Sequence, residues 1–212
     1  MTILSTTLNQ EITAQARQAL NGKWGLVVGA MLIVILLNIL SQIVPIVGPI
    51  VWLIVSGAFS LGFASLYLNL CRGEKAEFSQ IFSGFNNFTT ALVANLLMTL
   101  FILLWALLLI IPGIIAAYSY MLTFFILSDE PSLTASEAIN KSKEMMKGYK
   151  WKAFFLSCRF IGWALLAILT LGIALLWLAP YIGMSFAKFY EDIKENHAET
   201  VTIAEEPQAL AC

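Results

Sequence analysis

Charge-free apolar runs, punctuated by polar segments, dominate the chain. Trp24 to Cys71 and Phe78 to Ser128 contain no Asp, Glu, Lys or Arg, and Ala153 to Ala187 is broken only by Arg159. A bilayer crossing takes about 20 apolar residues, so each of the first two runs is long enough to cross about twice. The first is interrupted at 44–49 by Val-Pro-Ile-Val-Gly-Pro, and paired Pro and Gly are strong stop signals. It therefore predicts spans over about 24–44 and 50–70. A single helix over 90–128 would be roughly 58 Å long at 1.5 Å per residue, almost twice the hydrocarbon thickness. The chain is expected to turn at Pro112-Gly113. The return segment 114–128 is short, and can sit with little tilt, thin the bilayer or enter without crossing. In the third run the turn is expected at Thr170-Leu171-Gly172, giving spans over about 153–171 and 173–189, with Pro180 either kinking or ending the last.

The fold class expected is an all-α polytopic transmembrane bundle of about six spans, arranged as three hairpins with amphipathic cytoplasmic lead-in helices. Its parts are a lead-in at 1–23, a hairpin at 24–70, an amphipathic segment at 71–89, a hairpin at 90–128, a basic helix at 129–152, a hairpin at 153–190 and a disordered acidic tail at 191–212. The N-terminal lead-in is expected to be retained rather than cleaved, because Glu11 lies in it and the following apolar segment is span-length. In the basic segment, Thr134 with Glu137 three residues on matches a capping box.

Basic residues test this topology. Arg17 and Lys23 precede the first hairpin, Arg72 and Lys75 follow it, Lys141, Lys143, Lys147, Lys150 and Lys152 follow the second, and Lys188 and Lys194 follow the third. None lies in the tight turns, so by the positive-inside rule the lead-ins and both termini are expected in the cytoplasm. A weak repeat agrees: Gly22, Gly84 and Gly148, spaced 62 and 64 residues apart, each sit between apolar residues and an aromatic near the start of a hairpin. Glycine is expected there because the chain must change direction.

Composition sharpens the class. Only 12% of residues are charged and mean hydropathy is +0.83, against about 25% charged in soluble domains. The net charge of -1 gives nucleic acid no general attraction. Cys71, Cys158 and Cys212 show neither CxxC spacing nor an even framework, so free thiols are expected.

Candidate chemistry is sparse. No Asp, Glu or His lies within a proposed span, and His197 is the only histidine. Proton relays and intramembrane proteases need buried ionisable groups, and no P-loop, GxSxG, HExxH or dinucleotide-binding glycine pattern is present. No catalytic, cofactor-binding or metal residue is expected, and the protein is expected not to be an enzyme. Lys141, Lys143, Lys147, Lys150 and Lys152, beside Met145, Met146, Tyr149 and Trp151, suit contact with anionic lipid headgroups. A plain solvated helix on the bundle is the competing reading. Arg159, seven residues from Lys152, can snorkel to the same headgroups or mark a substrate path. Asn38, Asn69 and Asn95 are polar groups at depth, either as interhelical glue or as the lining of a permeation path. Gly22, Gly84, Pro112, Gly113 and Gly148 are the expected hinges and turns.

Several motifs together resemble the bacterial integral membrane family catalogued as domain of unknown function 975. They are Ala-Arg-Gln-Ala-Leu-Asn-Gly-Lys-Trp at 16–24, Ile-Pro-Gly-Ile-Ile at 111–115 with Tyr118, Ser-Lys-Glu-Met-Met-Lys-Gly at 142–148, Phe160-Ile161-Gly162-Trp163, and Pro180-Tyr181 with Phe189-Tyr190. The resemblance runs from about Glu11 to Ile193 and implies a stand-alone membrane domain of a bacterial plasma membrane. The architecture is also similar to the membrane domain sometimes joined to glycerophosphodiester phosphodiesterases, but the chain shows no phosphodiesterase domain and that activity is not implied. The function expected is organising or regulatory, at the cytoplasmic membrane face, with the bilayer, anionic lipids and an unidentified membrane or cytoplasmic protein as partners. The alternative is a passive transporter or channel for a small solute.

Overall fold

A computed structural model describes residues 7–209 except 171, with side chains through His197; Cys212 lies outside the described residues. Those residues form an all-helical fold. The order is α1 (Asn9–Leu20), α2 (Trp24–Ser41), α3 (Val47–Arg72), a 3-10 helix (Phe78–Phe85), α4 (Phe88–Leu108), α5 (Ile110–Tyr120), α6 (Thr123–Asp129), α7 (Ala135–Met145), α8 (Lys150–Cys158), α9 (Ile161–Leu169) and α10 (Leu175–Ala209). Three units repeat: a short lead-in helix, an apolar helix, a tight turn and a return helix.

Among the described residues, five stretches are long and apolar enough to cross a membrane: Trp24–Ser41, Val47–Arg72, Phe88–Leu108, Ile110–Asp129 and Lys150–Leu169. The expected sixth, 173–189, is not among them. Its apolar part begins with α10 at Leu175 and meets Lys188, Glu191 and Asp192 too soon. Pro180 does not end α10, nor does the acidic tail expected to be disordered from 191: the helix continues through Ala209. Ile193 is buried, no Pro or Gly occurs between Gly183 and Pro207, and Glu, Ala and Lys favour helix.

The second turn differs from the expectation at Pro112-Gly113. A single extended residue, Leu109 (φ −161°, ψ 143°), joins α4 to α5, and Pro112 falls in the first turn of α5, where its missing N–H costs nothing. Gly113 permits close approach instead, since a Cβ there would lie 2.9 Å from Ala106 Cα. In the third hairpin the turn does fall near Gly172, which has φ +91°.

Of the three repeat glycines, Gly22 and Gly148 take left-handed conformations (φ +73° and +85°) just before α2 and α8. Gly84 does not. It sits inside the 3-10 helix, where a Cβ would lie 1.9 Å from the Ala58 carbonyl oxygen, and a Cβ on Gly62 would lie 2.0 Å from that of Ile81. Two glycines thus let the 3-10 helix lie backbone to backbone on α3.

The lead-ins are packed elements. α1 buries Ile12, Thr13, Ala16 and Leu20, chiefly against α10. α7 buries Ala135, Ala138, Ile139, Ser142 and Met145, and Ile139 joins Met98, Ala116 and Tyr120 in one cluster. Its capping box is formed: Glu137 N–H donates to Thr134 Oγ1 (3.4 Å), and Thr134 N–H donates to Glu137 Oε2 (2.8 Å). The Thr134 hydroxyl also donates to Glu137 Oε2 (2.7 Å), and this bond, followed by that from the Thr134 N–H, holds the Glu137 carboxyl below its ordinary pKa. The stabilisation is therefore present above the ordinary carboxylate pKa and is lost as pH falls through the lowered value. Thr134→Ala is expected to weaken the first turn of α7 by about 1 kcal/mol, seen as faster amide exchange at Glu137 and Ala138 with the rest of the bundle unchanged. Unaltered exchange there would refute the cap.

Candidate functional site

Two sets of ionisable groups are brought together by the fold. In the first, the last residues of α3 and α6 meet the middle of α10. Asp129, at the end of α6, accepts from Arg72 at the end of α3 (2.6 Å), from the Tyr190 hydroxyl (2.9 Å) and from Lys194, the latter two on α10. Arg72 also donates twice to Glu191 (2.8 and 3.1 Å). The Asp129 side chain is only 6% exposed, so this carboxylate is held by charged partners rather than by water, as burial of a charge requires. Nearby, Asp192 pairs with Lys152 (2.8 Å) and accepts from Thr7 (2.6 Å), and Lys188 donates to the Cys71 carbonyl in the last turn of α3 (2.9 Å). These groups tie the units together.

The second set is a groove beside the second hairpin. Lys143, Lys147 and Lys150 line a cavity of about 400 Å³ with Trp105, Tyr120 and Glu144. Lys150 and Ile115 continue it into an apolar cleft of about 380 Å³ between α5 and α8, walled by Ile111, Ile114, Tyr118, Trp151 and Phe154. α7 produces this convergence by packing back along α4 and α5, where Ser142 donates to the Ser119 carbonyl (2.8 Å). The Lys143 ammonium lies over the Tyr120 and Phe101 rings (5.5 and 5.9 Å). Phe101 is seven residues from the end of α4, so about 10 Å of that helix projects beyond it. The tip is apolar and bare, with Leu107 87% and Ile110 76% exposed. The charge pattern separated lysines from hairpin tips; the fold brings three of them much closer to one.

The other expected headgroup residues lie elsewhere. Lys141 pairs with Glu130, Lys152 belongs to the Asp192 tie, and Arg159 is exposed at the break between α8 and α9. Neither Asp129 nor Trp105 was singled out by sequence reasoning. The signal available for Asp129 was its place as the first charge after the second apolar run.

The profile of the family described as protein of unknown function (DUF975) matches residues 1–119 and again 106–197. The chain belongs to this family. Neither curated proteins nor solved structures give a match.

In this DUF975 chain the three asparagines do not share a site. Asn95 on α4 donates to the Leu53 carbonyl and to Ser56 Oγ on α3 (3.1 Å each), joining two helices. Asn69 lies 22 residues beyond the start of α3, about 33 Å along it, and Asn38 is in the last turn of α2. Among the described residues no three His, Cys, Asp or Glu side chains gather as a metal site. Ser157 donates to the Ala153 carbonyl (3.0 Å), and among the described contacts no base stands beside it. What this arrangement can do chemically is hold an anion beside an apolar surface.

Proposed function

We propose that the protein is a non-enzymatic component of a bacterial plasma membrane, with both termini in the cytoplasm, which organises or regulates at the inner face through lipid headgroups and a protein partner. The observation that carries this reading is the convergence of Lys143, Lys147 and Lys150 on one groove, while Asp129, Glu191 and Asp192 are engaged in ties between units. A transporter reading gains no support from asparagines spread over α2, α3 and α4.

Two measurements test the proposal. Single-cysteine variants at Val47, Ile110, Gly172 and Ser136, with the native cysteines removed, are treated in intact cells with a membrane-impermeant thiol reagent. Labelling of Val47 and Gly172 but not of Ser136 is expected; Ile110, at a tip only about 10 Å of helix beyond the ring over which Lys143 lies, is expected to stay within the bilayer and unlabelled. Labelling at Ser136 would reverse the orientation and remove the cytoplasmic role. In proteoliposomes, no solute flux above protein-free vesicles is expected; flux abolished by Asn95→Leu would overturn the non-transport reading.

A further inference from the structure

We infer that the groove between α5 and α8 binds one anionic phospholipid, its phosphate held by Lys143, Lys147 and Lys150 and one acyl chain laid along Ile111, Ile114, Ile115 and Phe154. The inference deepens the headgroup reading above and rests on it for the placement of this groove at a membrane surface. Charge comes first. Three lysines and one glutamate line the polar half, and the Lys147–Glu144 pair is well exposed, 69% and 61%. Such exposed pairs are weak, so the Lys147 ammonium can turn to a phosphate oxygen. Lys150 opens α8, where the positive end of the helix dipole disfavours a cation and favours an anion. A phosphate between these side chains offsets that unfavourable placement.

The apolar half distinguishes a lipid from a free phosphate, which would leave it unused. From Tyr118 to Ile111 the wall runs seven residues, about 10 Å, within the roughly 15 Å of one leaflet of hydrocarbon. An acyl chain starting at the lysines therefore ends near the hairpin tip, inside the same leaflet. Trp151 lines the groove and is 72% exposed beside Lys150, the position that tryptophan takes at headgroup level. Both ends of the groove thus match one molecule, with a negative head and a chain one leaflet long.

The test uses the full chain in detergent, titrated with phosphatidylglycerol carrying brominated acyl chains, with quenching of tryptophan fluorescence as the readout. Subtraction of the Trp151→Phe signal isolates the groove. Saturable quenching of the Trp151 component is expected, with brominated phosphatidylcholine much weaker and inorganic phosphate unable to displace the lipid. Lys143→Gln, Lys147→Gln and Lys150→Gln combined are expected to lower the apparent affinity on the order of 100-fold, each lysine contributing about fivefold. The three arginine replacements should retain binding, which separates charge from packing. Equal quenching by phosphatidylcholine, displacement by phosphate, or an unchanged affinity in the glutamine variant would each overturn the proposal. Because this titration does not depend on orientation, its failure is distinct from labelling at Ser136 in cells, which would overturn the cytoplasmic assignment alone.

Discussion

Gly84→Val is expected to be the most damaging single substitution among those considered, with a loss of about 3 kcal/mol or more. The Cβ at this position would lie 1.9 Å from the Ala58 carbonyl oxygen, and that atom belongs to the backbone of a long helix with no rotamer to yield. The 3-10 helix would have to lift from α3, taking buried Ile81 with it. Gly62→Val, pressing on the Ile81 carbonyl from the other side at 2.0 Å, is expected to act alike. Thermal melting of the detergent-purified chain, followed by size-exclusion chromatography, would show a much lower midpoint or no monodisperse peak. Gly25→Val, at a glycine with open space around it, is the control and should melt near the native protein. A native-like melt for Gly84→Val would refute the close backbone contact.

The second large effect is expected at Asp129. Asp129→Leu leaves Arg72, Tyr190 and Lys194 without their common acceptor. Arg72 keeps Glu191, and Arg72 and Lys194 are 33% and 44% exposed, so water compensates in part. A loss of about 2–3 kcal/mol is expected rather than the full cost of breaking a buried pair. A double-mutant cycle with Arg72→Leu measures the coupling, which should be well above that of the exposed Lys147–Glu144 pair. Additive effects would reduce the cluster to independent surface charges.

The hairpins were legible in the sequence because lipid demands long charge-free runs, a requirement that survives any detail of packing. The Thr134 cap was legible because its logic is local. Pro112 was misleading because proline marks a turn and a helix start equally well, and only the fold showed that Leu109 makes the turn. Gly84 looked like a hinge and proved to be a contact point, since a sequence does not reveal which backbone lies against it. Helix beyond Glu191 was missed because acidic composition says nothing of the tertiary anchor that Ile193 supplies. Lys143, Lys147 and Lys150 were singled out as basic residues near aromatics, but not as one site: their convergence depends on the path of α7 beside α4 and α5.

The cluster that joins α3, α6 and α10 also sets an order of events during synthesis. Arg72 closes the first unit, Asp129 closes the second, and Tyr190, Glu191 and Lys194 close the third. On a ribosome these groups emerge in that sequence, so Arg72 and Asp129 can pair while the third unit is still being made. A nascent chain stopped before Tyr190 carries an Asp129 missing two of its three donors at a position that the finished protein shuts from water. Arrival of α10 as far as Lys194 therefore completes the set of donors around Asp129, and a product that stops before Tyr190 leaves that carboxylate with Arg72 alone.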